Sequence, residues 1–157
     1  MRKALTLTFA IVLASATAAF AADNTLGTWK YNSGKSSHAP GISPITDLTV
    51  TREASGGGVM ITAKGQRADG TKIDSMSNAK YDGKPVTVTG TGTAWDTATL
   101  KRIDDNTITE ERTKQGTKYH TIVRSVVSAD GKTMTSTAKG TNADGKPVTT
   151  RTVFDKQ

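Results

Sequence analysis

The sequence predicts an all-β protein, a single antiparallel up-and-down β-barrel of about ten strands, and three observations carry that prediction. Beyond residue 21, apolar residues recur with a period of two and never with the 3.6-residue period of a helix. Turn signals such as Asp82-Gly83, Asp130-Gly131 and Asn142-Ala143-Asp144-Gly145 cut the chain into short strand-length stretches. Sequential hairpins in this number would leave two exposed edges in an open sheet, and closing the sheet removes both. The same alternation is compatible with a two-sheet sandwich, the alternative architecture.

The first segment is of another kind. Arg2 and Lys3 precede an apolar, small-residue run from Ala4 to Ala19, and Ala19-Phe20-Ala21 has the small-x-small form of a cleavage site. Residues 1–21 therefore read as a secretory signal peptide. The run falls short of the roughly 20 residues a spanning helix needs, and Asp23, Asn24 and Thr25 end it. Residues 22–157 remain as one β-barrel domain, long enough for a single core. The chain has no Cys, so neither disulfides nor a lipidated Cys anchor is available. The expectation is a periplasmic or secreted monomer without a membrane anchor.

Losing Arg2 and Lys3 from the 21 basic residues, against 14 acidic ones, lowers the formal charge from +7 to +5. Basic chains attract polyanions. Here Lys and Arg alternate with Thr, Ser and acidic residues, the pattern of a solvated sheet face, so no nucleic-acid partner is expected.

Leu26 to Tyr31 opens the domain, with two large aromatics that suit the seam of a barrel. Asn32 to Ser43 is a Gly-, Ser- and Pro-bearing connection. Thr46 to Glu53 puts Leu48 and Val50 on one face, and the glycines at 56 to 58 mark a hairpin tip. Val59, Ile61 and Ala63 form the next apolar face, followed by Ile73, Ser75, Ser77, Ala79 and Tyr81. Pro85 opens a strand carrying Val86 and Val88, which Gly90 and Gly92 interrupt. Trp95 to Ile103, Thr107 to Lys114, Lys118 to Val127, Thr133 to Lys139 and Pro147 to Lys156 complete the count.

The inward candidates combine Val and Ile with many Ser, Thr and Ala and few aromatics: Trp29, Tyr31, Tyr81, Trp95, Tyr119 and Phe154. Such a set fills a barrel poorly compared with the near-crystalline density of a packed core, which favours a partly wet cavity.

Gly27-Thr28-Trp29-Lys30 and the closing Thr150-Arg151-Thr152-Val153-Phe154-Asp155-Lys156 resemble the first and last strands of the calycin superfamily. The likeness is nearest to its fatty-acid-binding-protein branch and to lipocalin-like secreted bacterial proteins. The resemblance implies a barrel that carries an apolar molecule, its acid head group held by Arg151 and by a second Arg, for which Arg124 is the candidate. Two departures stand out. Asn32 to Ser43 has no counterpart of the family's helical lid, and Val153 stands where the family has Tyr, with Phe154 one place on.

The candidate ligand-binding residues are thus Arg124, Arg151, Trp29, Tyr119 and Phe154. Arg124 shares a face with Ile122 and Val126, and Arg151 with Thr149 and Val153. If inward, each guanidinium needs a partner, either a ligand carboxylate or Glu110, Glu111 or Asp155. Trp29 suits a plug of the barrel floor as well as a ligand contact. His38 and His120 are the only histidines and form no zinc set without Cys; no nucleophile elbow is present. The expected function is an exported carrier of a small hydrophobic or amphipathic, anionic ligand, with no enzyme activity, metal or cofactor. The alternative is a ligand-free barrel acting as an interaction or inhibitor module of the cell envelope.

Overall fold

The computed structural model describes residues 22–40 and 42–157; the signal peptide expected over residues 1–21 lies outside the described residues. Eleven strands form one antiparallel sheet: β1 (Gly27–Tyr31), β2 (Ile45–Ser55), β3 (Gly58–Arg67), β4 (Lys72–Lys80), β5 (Asp82–Thr87), β6 (Thr89–Thr91), β7 (Thr97–Arg102), β8 (Thr107–Thr113), β9 (His120–Val127), β10 (Thr133–Thr141) and β11 (Pro147–Lys156). Consecutive strands pair in order from β1 to β4 and from β7 to β11, and β1 pairs with β11 from Trp29↔Lys156 to Tyr31↔Phe154, so the two ends of the domain are neighbours. This is a nearly closed up-and-down barrel, and the sandwich alternative does not hold.

The count exceeds ten because one stretch is split. Residues 82–91 run between β4 and β7 and change partner at Val88: β5 bonds β7 through Pro85↔Thr99 to Thr87↔Thr97, and β6 bonds β4 through Met76↔Thr89 to Asp74↔Thr91. Gly90 makes the second half possible. Its φ is +107°, and a Cβ there would lie 2.0 Å from the Asp74 carbonyl oxygen, so only glycine lets the two backbones approach. Pro85, which has no N–H, is tolerated because β5 carries a ladder on one side only. The β2–β3 hairpin turns at Gly56 and Gly57, both with positive φ, as a twist-matched two-residue turn requires.

The period-two pattern sets the interior. On β4, Ile73, Ser75, Ser77 and Ala79 are buried while Lys72, Asp74, Met76, Asn78 and Lys80 are exposed. One end of the barrel is sealed. Trp29, fully buried, packs with Leu48, Ile73, Val127, Met134 and Phe154, and its Nε1 donates to the Thr25 carbonyl at 2.9 Å. The stretch preceding β1 crosses this end, with Asn24 N–H donating to the Asp105 carbonyl and the Tyr81 hydroxyl donating to Asp23 at 2.6 Å. At the other end lie the connections after β1, β3, β6, β8 and β10.

Candidate functional site

Between floor and mouth the barrel holds a cavity of about 160 Å³. Apolar walls come from Val50, Ile61, Ile73, Val123, Met134 and Phe154, and hydroxyls from Ser75, Ser77, Ser125, Ser136, Thr150 and Thr152. The mixture follows from the alternation on β4, β9, β10 and β11, where short hydroxyl side chains occupy inward places. The volume they leave unfilled is the cavity.

Three strands also send charge inward. On β2 the face that begins Leu48, Val50 continues to Arg52, which is 5 % exposed. On β8 the inward face reads Ile108, Glu110, Arg112. Arg112 donates from Nε to Glu110 Oε1 at 2.8 Å and from Nη2 to Oε2 at 3.0 Å, a two-point pair. Arg67, half-buried at the end of β3, lines the cavity near its mouth and donates to the Ser43 carbonyl at 3.0 Å. Arg52 differs from both. Its Nε and Nη2 are buried, and among the described residues neither has a hydrogen-bond partner.

The electrostatics agree with that division. Burial pushes the Glu110 carboxyl up, but the charge and hydrogen bonds of Arg112, with a further pull from Arg52, hold it below the usual carboxylate range. Burial works against the Arg112 charge, and Glu110 outweighs it, leaving the guanidinium raised above its ordinary value. Arg52 acts on Glu110 through its charge, and neither its Nε nor its Nη2 makes a hydrogen bond to that carboxylate. Tyr81, which also feels the charge of Arg52, is held above its ordinary value by burial and by its hydrogen bond to Asp23.

At the mouth, Trp95 lines the cavity and stacks on Tyr119, with ring centroids 6.3 Å apart and planes at 19°. The Arg112 guanidinium lies 4.0 Å from the Trp95 ring centroid, a cation–π contact that fixes the indole over the opening.

The residues singled out in the sequence are distributed as follows. Phe154 is inward and lines the cavity; β11 pairs with β10 in continuous register, so it shares the inner face with Thr150 and Thr152 by plain alternation. Tyr119 stands behind Trp95 at the mouth, and Trp29 belongs to the floor. Arg124 and Arg151 need correction: both are exposed on the outer face. On β9 the buried set is Thr121, Val123, Ser125 and Val127, which turns Ile122, Arg124 and Val126 outward. Arg151 points out beside Val153 and donates from Nη1 to the Lys35 carbonyl at 2.6 Å, holding a short 3₁₀ turn (Ser33–Lys35) against β11. That turn and the segment to Ser37 cover Val153, which is buried although it faces outward.

Sequence reasoning missed Arg52 and Arg112, and it named Glu110 only as a partner for Arg124 or Arg151. The signal was present: each stands two residues along from an aliphatic or charged residue already on an inward face. Among the described residues no group of acidic, His or Cys side chains is arranged to hold a metal ion, and no helix is long and apolar enough to cross a membrane. No family model, no curated protein and no solved structure matches the chain.

Proposed function

We propose that the protein is an exported binding and carrier protein that encloses a small amphipathic anion inside its barrel. The observation that carries this reading is Arg52: a guanidinium nineteen-twentieths buried, without a hydrogen-bond partner on Nε or Nη2, at the wall of a cavity with apolar sides. A buried charge is costly unless paired, and a bound anion supplies the pairing. Enclosure of the ligand's apolar part adds roughly 25 cal/mol per Å² removed from water. The cavity favours this reading over a ligand-free interaction module, whose interior would be filled.

The test is extraction of the protein purified from the envelope fraction of its host, followed by mass spectrometry. A stoichiometric small anion is the expected result. An empty extract, together with no thermal stabilisation across a panel of organic acids, would sink the reading.

A further inference from the structure

We infer that the ligand is a small monocarboxylate, with its carboxylate seated on the Nε–Nη2 edge of Arg52; this rests on reading the cavity as a ligand site. The two most deeply buried guanidiniums of the cavity, Arg52 and Arg112, supply the comparison. In Arg112 the Nε–Nη2 edge is filled by both oxygens of Glu110, at 2.8 and 3.0 Å. In Arg52 the same edge is buried and, among the described residues, has no hydrogen-bond partner. Its two N–H groups run parallel, and the two oxygens of a carboxylate match them as those of Glu110 match Arg112. Among the described residues no neighbouring group bonds it: Glu110 turns both oxygens to Arg112, and the Tyr81 hydroxyl donates to Asp23.

Charge limits the head group to a single negative unit. Glu110 and Arg112 neutralise each other and Arg67 stands at the mouth, which leaves Arg52 as the deep positive charge near an existing carboxylate, so a dianion seated there would face Glu110 with an uncompensated charge. Volume limits the body. The cavity of about 160 Å³ is close to the roughly 150 Å³ apolar cavity that accepts benzene. One ring or a short chain matches this volume, whereas a long acyl tail would have to pass Trp95 and leave the barrel.

Isothermal titration of the ligand-stripped protein with benzoate, benzamide, hexanoate and palmitate tests this, in the wild type and in Arg52→Met and Arg52→Lys. Benzoate and hexanoate should bind the wild type, with benzamide, which has nearly the same shape but no charge, at least tenfold weaker. Arg52→Met should lose at least tenfold for benzoate, and Arg52→Lys, which keeps the charge without the paired edge, should fall between. Circular dichroism establishes that each variant is folded; should Arg52→Met fail to fold, Arg52→Lys and the benzoate-to-benzamide ratio decide. Equal binding of benzoate and benzamide, or benzoate binding unaffected by either substitution, overturns the inference. Binding of palmitate without benzoate, or a co-purified molecule lacking a carboxylate, overturns it while leaving the carrier reading intact. No binding by any of the four, with an empty extract, removes both.

Discussion

The β8 wall and the β2 wall of the barrel each bury an arginine, yet one is complete in itself and the other is not. Arg112 has a partner two residues away on its own strand and a Trp95 ring against its guanidinium. Arg52 is flanked on its face by Val50 and across the ladder by Ile61, so nothing on its own strand can reach it. The contrast separates charge that is satisfied within the fold from charge that is not. Breaking it on the β8 side should give the largest effect. Arg112→Met leaves Glu110 buried and unpaired, and a loss of about 3–5 kcal/mol in urea unfolding is expected. A loss below about 1 kcal/mol would mean that the pair behaves like one on the surface.

The corresponding change on the β2 side should have the opposite sign. Arg52→Met removes a buried charge that lacks a hydrogen bond on two nitrogens and puts apolar volume in its place. The ligand-free protein should gain about 1–3 kcal/mol, the usual cost of leaving such a group unsatisfied. Equal urea midpoints would imply that Arg52 is satisfied in solution, and the contrast between the two walls would then disappear.

Acid sharpens the same comparison. The folded-state pKa of Glu110 lies below its ordinary value of 4.5, so its contribution is fully present above that value and is lost as pH falls through the folded pKa. Stability of the wild type should therefore decline below about pH 4.5, and Glu110→Gln should flatten that decline. Asp23 titrates in the same direction: burial raises it, and hydrogen bonds from Thr25 and Tyr81 bring it below its ordinary value, so the flattening is partial. Urea midpoints between pH 3 and 6 give the slope, and an unchanged slope would remove Glu110 from the account.

The barrel was legible in the sequence because its determinants are local. Ile73, Ser75, Ser77 and Ala79 announce their common face, and Asp82-Gly83 and Asp130-Gly131 announce their turns. The change of partner at Val88 was not legible, since it depends on how residues 82–91 sit between two strands distant in sequence. The cavity arginines were legible in part. Leu48, Val50 and Arg52 share one parity with no competing apolar set, so Arg52 follows from extending the β2 face by one step. On β9 both parities carry aliphatics, Val123 and Val127 on one and Ile122 and Val126 on the other, and local pattern alone cannot choose between them. The choice is made by the register with β8 and β10, which aligns Val123 with Glu110 and Ala138 on the inner face.

The smallest effects belong to the two arginines that the family resemblance favours. Arg124→Ala and Arg151→Ala remove exposed side chains from the outer face, and neither touches the cavity lining. Surface changes of this kind seldom alter stability much, so the urea midpoint should hold in both variants. Arg151→Ala should loosen only the turn Ser33–Lys35, whose Lys35 carbonyl it ties down, and faster amide exchange at Ser37 would report it. Benzoate affinity should be the same as in the wild type. A tenfold loss in Arg124→Ala would instead place the anion on the β9 wall, restore the arrangement implied by the calycin resemblance, and leave Arg52 without its assigned role.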